Sequence, residues 1–105
     1  MVSQFEVYLV SLDPTQGSEI IKKRPALVIS PNEMNQTLRT VLVAPMTTPL
    51  RNFPSRVKTT FLGKKGDIAL DQMRAVDQSR LLKKLGAIHH TTADKTLAVL
   101  QLMFS

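Results

Sequence analysis

The 105-residue sequence predicts a single small, mainly β domain of the α+β class that ends in one α-helix. Three observations carry this. Short runs of β-branched and apolar residues recur through the first four-fifths of the chain. Clusters of Pro, Gly, Asp and Asn punctuate them. Apolar residues at intervals of three and four then set in near the C-terminus.

The elements follow in order. Residues 5–12 are rich in strand formers, and Asp13-Pro14-Thr15-Gln16-Gly17 breaks that strand with turn chemistry. Residues 13–24 are polar and charged and are expected to form a long loop. Residues 25–30 form the second strand, with Pro25 suited to its first position. Residues 31–35 suggest a turn or one helical turn, and 40–46 a buried strand. Residues 47–54 hold too much proline for an element and form a second exposed loop. Residues 56–62 alternate as a half-exposed strand, Gly63 to Gly66 make a hairpin turn, and Asp67 to Leu70 begin the return strand. Residues 71–77 continue as strand or bend, Ser79 to Leu82 as one helical turn, and Lys83 to Ile88 as a short final strand. Thr91 and Asp94 stand at capping-box spacing, and Ala93, Leu97, Leu100 and Phe104 mark the inner face of a helix over about 92–104.

Composition narrows the functional classes. Fourteen Lys and Arg face eight Asp and Glu, a net charge of +6, and such a field attracts a polyanion. No amphipathic basic helix or apolar run of spanning length speaks for a membrane. There is no cysteine, hence no disulfide framework or thiolate metal site. With no signal peptide at Met1, the chain reads as cytoplasmic and intact. His89 and His90 are adjacent, would point to opposite faces of a strand, and have no carboxylate cluster beside them. No metal or cofactor is expected. Phosphate-loop and nucleophile-elbow motifs are missing as well.

What remains is a pair of loops beside strand ends. The first ends in Lys22-Lys23-Arg24-Pro25, where proline fixes the chain just after an arginine whose planar fork suits a phosphodiester. A solvated run of cations is the plainer reading of the same residues. The second loop opens with Thr47-Thr48, two hydroxyl donors that also suit strand-end capping.

At these residues the sequence resembles the MazF/PemK/Kid toxins. Residues 9–30, LVSLDPTQGSEIIKKRPALVIS, are similar to that family's opening block; 41–48, VLVAPMTT, to its second; and 71–85, DQMRAVDQSRLLKKL, to its third. The three blocks occur in order and the similarity covers about residues 5–104, so residues 1–105 are expected to be one toxin domain. The resemblance implies an SH3-like β-barrel with a C-terminal helix, a homodimer, and metal-independent cleavage of single-stranded messenger RNA at short sequences, inhibited by an acidic cognate antitoxin. It implies that Arg24 is the catalytic arginine, Thr47 the catalytic hydroxyl, and Glu19 a base or an orienting acid. Ser18, Lys22, Lys23, Thr48, Arg51, Phe53, Arg56, Lys64, Asp71, Gln72 and Arg74 are expected at the RNA, with Lys65 a further candidate backbone contact. On this reading Thr47 donates to a non-bridging phosphoryl oxygen beside Arg24.

The chain departs from the family in places. Ser3-Gln4-Phe5-Glu6 replaces the usual Arg-Gly-acidic start, and Ile20-Ile21 a usual Gln-Gly. Ser18 and Ala69 stand where the Kid branch has histidine and arginine, so the MazF arrangement of arginine plus threonine is the one that carries over. Two alternatives compete. QFEVY and LQLMF are similar to the ends of CcdB-like gyrase poisons, although this chain has no Trp. A non-catalytic nucleic-acid-binding barrel is the other.

Overall fold

The computed structural model describes residues 1–11 and 23–105. Along the chain come β1 (Glu6–Ser11), β2 (Lys23–Val28), α1 (Asn32–Thr37), β3 (Thr40–Thr47), β4 (Arg56–Phe61), β5 (Lys64–Ala69), β6 (Arg74–Asp77), β7 (Leu81–Ala87) and α2 (His90–Met103). Short 3₁₀ turns at Leu70–Gln72 and Gln78–Arg80 flank β6. The strands form one curled antiparallel sheet in the order β4-β5-β3-β2-β1-β7, with β6 also on β3. With α2 packed against it, this is a half-barrel form of the mainly β fold with a C-terminal helix that the sequence predicts.

β3 organises the site. Its nearly continuous apolar run is buried because it has neighbours on both edges. One edge pairs with β2, Ala26 opposite Pro45. The other pairs with β6 along Thr40–Val43 and with β5 at Met46 and Thr47. Val7, Leu27, Ala44, Ile68 and Leu70 fill the main core, with Phe5, Phe61, Leu85 and Met103 packed against it. Each large core side chain contributes about 1.5–3 kcal/mol relative to exposure. A second cluster of Val10, Val28, Val41, Val43 and Val76 lies across the sheet.

The loop before α1 is tied down by a buried polar network. Asn35 donates to the Ser30 carbonyl at 3.0 Å, the Ser30 hydroxyl donates to Asn35 Oδ1, and the Leu42 N–H donates to Ser30 Oγ at 3.1 Å. Gln78 donates to the Asn35 and Leu38 carbonyls at 2.9 and 3.1 Å, closing the network from the far end of β6.

Several boundaries differ from the sequence reading, each for a physical reason. Lys23 and Arg24 belong to β2, opposite Ser11 and Val10, so Pro25 is the third strand residue and not the first. β3 meets β2 only from Ala26 onward, so Pro25 leaves no rung unmade on that side. The hairpin turn is Leu62-Gly63, both at positive φ (50° and 79°), and Lys64 and Lys65 are already strand. A two-residue turn of this kind follows the sheet twist, and exposed Leu62 tolerates the left-handed region there. The final strand starts at Leu81, two residues early.

The helix begins at His90 and its cap is His89, whose Nδ1 accepts from the Thr91 N–H, so the Thr91-Asp94 capping box is not used. Its inner face is Ala93, Thr96, Val99, Leu100 and Met103, whereas Leu97 and Phe104 are 45% and 73% exposed. Thr96 can be buried because its hydroxyl donates to the Thr92 carbonyl at 2.8 Å. His89 and His90 do not point to opposite faces of a strand. They sit at the helix start with ring centroids 4.3 Å apart.

Candidate active site

The β2–β3 register brings the two sequence blocks together. Ala26 faces Pro45 where the β2–β3 ladder ends, and Arg24 and Thr47 each lie two residues beyond that pair on their strands. Both line a cleft of about 560 Å³, joined by Pro25, Met46, Thr48 and Pro49. Arg51, Arg56 and Gln72 complete its wall. Thus Arg24, Thr47, Thr48, Arg51, Arg56 and Gln72, all expected at the RNA, share one basic concavity.

The three guanidinium groups of the cleft differ. Arg56 is committed: it donates to Asp71 through Nε at 2.6 Å and through its terminal nitrogen at 3.2 Å. The Ser55 hydroxyl donates to the same carboxylate at 3.0 Å. These bonds, Arg56 first, hold the Asp71 carboxyl below the usual carboxylate range and raise the Arg56 guanidinium further. The Phe53 ring lies 5.2 Å from the Arg56 guanidinium carbon. Phe53 itself is 52% exposed, against the commoner fate of a phenylalanine. Arg24 and Arg51, by contrast, have no acidic partner among the described residues.

The Thr47 hydroxyl oxygen is buried and has no hydrogen-bond partner among the described residues. An unsatisfied buried hydroxyl costs about 1–3 kcal/mol, which an incoming oxygen could recover. Its backbone is closely packed: a Cβ built on Gly66 would lie 2.6 Å from the Thr47 carbonyl oxygen, so only glycine fits beneath it.

A second, more apolar cleft of about 260 Å³ adjoins the first across Pro25, Met46, Thr47 and Thr48, and is lined by Phe61, Leu62 and Lys64 among others. Lys23 is exposed on β2. Arg74 is exposed on β6 and lies outside the lining of either cleft. Ser18, Glu19 and Lys22 lie outside the described residues. No group of three or more His, Asp or Glu among the described residues is arranged to hold a metal. None of the described helices is long and apolar enough to cross a membrane.

Sequence reasoning missed Asp67 and Lys58. Asp67 is fully buried on β5, directly opposite Thr47 on one side and Lys58 on the other. The available signal was an acidic residue leading the otherwise apolar Ile68-Ala69-Leu70 run.

Comparison with known proteins follows this geometry. Residues 3–104 match the family described as PemK-like, MazF-like toxin of type II toxin-antitoxin system. A relative named endoribonuclease MazF, from Staphylococcus epidermidis, is 36% identical over 91 residues, covering 81% of this chain and 76% of the relative. The solved MazE-MazF structure from Deinococcus radiodurans superposes with a TM-score of 0.81 at 25% identity, over 99% of this chain and 97% of that one. The Mycobacterium tuberculosis toxin MazF-mt6 shares the fold, with a TM-score of 0.79 at 20% identity over 94% and 95% of the two chains. With a match spanning nearly every residue, and with residues from all three sequence blocks lining or bracing one cleft, the chain belongs to the PemK-like, MazF-like toxin family of type II toxin–antitoxin systems.

Proposed function

We propose that this MazF-type endoribonuclease cuts single-stranded messenger RNA in the cytoplasm, at short specific sequences and without a metal, and that it works as a homodimer restrained by an acidic cognate antitoxin. The observation that carries the reading is the meeting of Arg24 and Thr47 in one basic cleft. RNA supplies its own nucleophile. The 2′-oxygen bonds to the adjacent phosphorus as the bond to the 5′-oxygen breaks, leaving a 2′,3′-cyclic phosphate and a 5′-hydroxyl. The 2′-hydroxyl gives up its proton to a base, and the departing 5′-oxygen takes one up.

Charge grows on the phosphoryl oxygens during this step. Arg24, unpaired among the described residues, supplies charge-assisted hydrogen bonds to them. The unsatisfied Thr47 hydroxyl is a hydrogen-bonding group for the same phosphodiester. Glu19, in the first block, serves as the base or orients Arg24. A single strand is required because in-line attack is incompatible with regular A-form stacking, and sequence choice rests on bases splayed into pockets such as the second, apolar cleft.

The dimer is supported by exposed Leu97 and Leu102 on α2 and exposed Phe104 just beyond its end. An acidic antitoxin is supported by the net charge of +6 and by the likeness to a toxin solved with MazE.

The test is incubation of the purified protein with a long messenger RNA in excess EDTA, followed by mapping of the fragment ends. An Arg24→Ala protein prepared identically controls for contaminating ribonuclease. Cuts at one short repeated sequence, missing with the variant, are expected. Intact RNA from a folded protein would overturn the reading in favour of a gyrase-type poison or a binding-only barrel.

A further inference from the structure

Arg51 is a loop residue, yet both polar groups of its backbone are held by side chains. Its N–H donates to Asp67 Oδ2 at 2.7 Å, and its carbonyl accepts from Lys58 Nζ at 3.2 Å. Lys58 and Asp67 are direct cross-strand partners, their charged ends 3.9 Å apart. Asp67 is completely buried, where a carboxylate is expensive to keep. Water ordinarily satisfies an exposed loop peptide at no such cost. A buried carboxylate committed to the Arg51 peptide therefore calls for a reason beyond satisfying that peptide.

The reason lies on the other side of the residue. Arg51 lines the same cleft as Arg24, and neither guanidinium has an acidic partner among the described residues. Arg56, the third arginine there, is already committed to Asp71. An arginine side chain has many rotamers to lose, so fixing its backbone lowers the cost of aiming its fork. Lys58, Asp67 and Thr47 also form one row across β4, β5 and β3, so the grip on Arg51 is anchored on β5, the strand paired with the one that carries Thr47.

We propose that the Lys58–Asp67 pair is a positioning device that aims Arg51 at an RNA phosphate next to the one being cut, making Arg51 the second phosphate-holding cation of the cleft. The proposal rests on the nuclease reading above and adds residues to it. Lys58 and Asp67 act through Arg51 and touch no substrate.

The salt dependence of binding reads this directly. The probe is a 12-nucleotide single-stranded DNA, which lacks the 2′-hydroxyl and is not cut. Losing one phosphate contact lowers the slope of log affinity against log salt by about 0.7 for a single strand. Arg51→Ala is expected to show that drop. Asp67→Ala and Lys58→Met are each expected to reproduce much of it in the wild-type background. In the Arg51→Ala background neither should weaken binding further by more than about twofold. A merely structural role would leave the slope unchanged.

Additive losses, or an unchanged slope in Lys58→Met, would overturn the proposal. Lys58→Met decides the matter if Asp67→Ala does not fold, because the Lys58 side chain is 56% exposed. If the wild type cuts no RNA while the binding cycle behaves as expected, the nuclease reading falls and the clamp stands. Normal cutting with additive losses would have the reverse meaning.

Discussion

Adding one methyl group at Gly66 probes how closely the cleft is built. A Cβ there would sit 2.6 Å from the Thr47 carbonyl oxygen and 3.4 Å from its carbon, where ordinary contact begins at 3.4 Å. The obstacle is backbone, so no side chain can swing aside. Thr47 must retreat by about 0.8 Å, or β5 must separate from β3. A displacement of about 1 Å at a reacting group can cost on the order of a hundredfold in rate. Scaled to this shift, Gly66→Ala is expected to lower the single-turnover rate of RNA cleavage by a few tens of fold. Overpacking adds about 1–3 kcal/mol of destabilisation. The assay is cleavage of a fluorogenic single-stranded RNA with enzyme in excess, beside urea unfolding of the same preparation. A variant with wild-type rate and wild-type stability would refute the reasoning.

Three further outcomes follow from the same geometry. Arg24→Lys keeps the charge but loses the planar fork, so single-turnover cutting should fall on the order of a hundredfold while binding to uncut single-stranded DNA is mostly retained. Full activity would remove Arg24 from its role. Asp71 has its folded pKa depressed, chiefly by the hydrogen bond from Arg56, so its contribution to stability is present above the ordinary carboxylate pKa and fades as pH falls through the depressed value. The melting temperature of Asp71→Asn should therefore trail the wild type at neutral pH, with the gap beginning to close only below about pH 4, whereas a gap independent of pH would contradict the assignment. Asn35→Ala removes the side chain that bonds both the Ser30 carbonyl and the Ser30 hydroxyl, and should cost about 1–3 kcal/mol in chemical denaturation without changing the cleavage rate per folded molecule.

The legible and illegible parts of this molecule differ in kind. Arg24 and Thr47 could be singled out because each is flanked by residues with a local signature, Pro25 after one and Ala44-Pro45 before the other. That they share a cleft is a consequence of the β2–β3 register, which local patterns only hint at. Asp67 and Lys58 were invisible because their meaning lies in a cross-strand row: on its own strand Asp67 looks like the start of a hairpin return. The helix face was read one residue off because hydrophobicity favoured Leu97 over Thr96, whereas a threonine that bonds its own helix backbone can be buried. The hairpin turn was placed between two glycines because glycine is the usual residue at positive φ, and Leu62 adopts it here at an exposed tip.

The central claim is that the Arg24–Thr47 cleft lets RNA attack itself, and the most direct measurement uses two substrates that differ by one atom. Once the cleavage sequence is mapped, the same oligonucleotide is made with a single 2′-deoxy sugar on the 5′ side of the cut. The account predicts that the all-ribose strand is cut in EDTA to a 2′,3′-cyclic phosphate, identified by its mass, and that the deoxy strand stays intact while binding about equally well. Cutting of the deoxy strand, or a 3′-hydroxyl end, would contradict it.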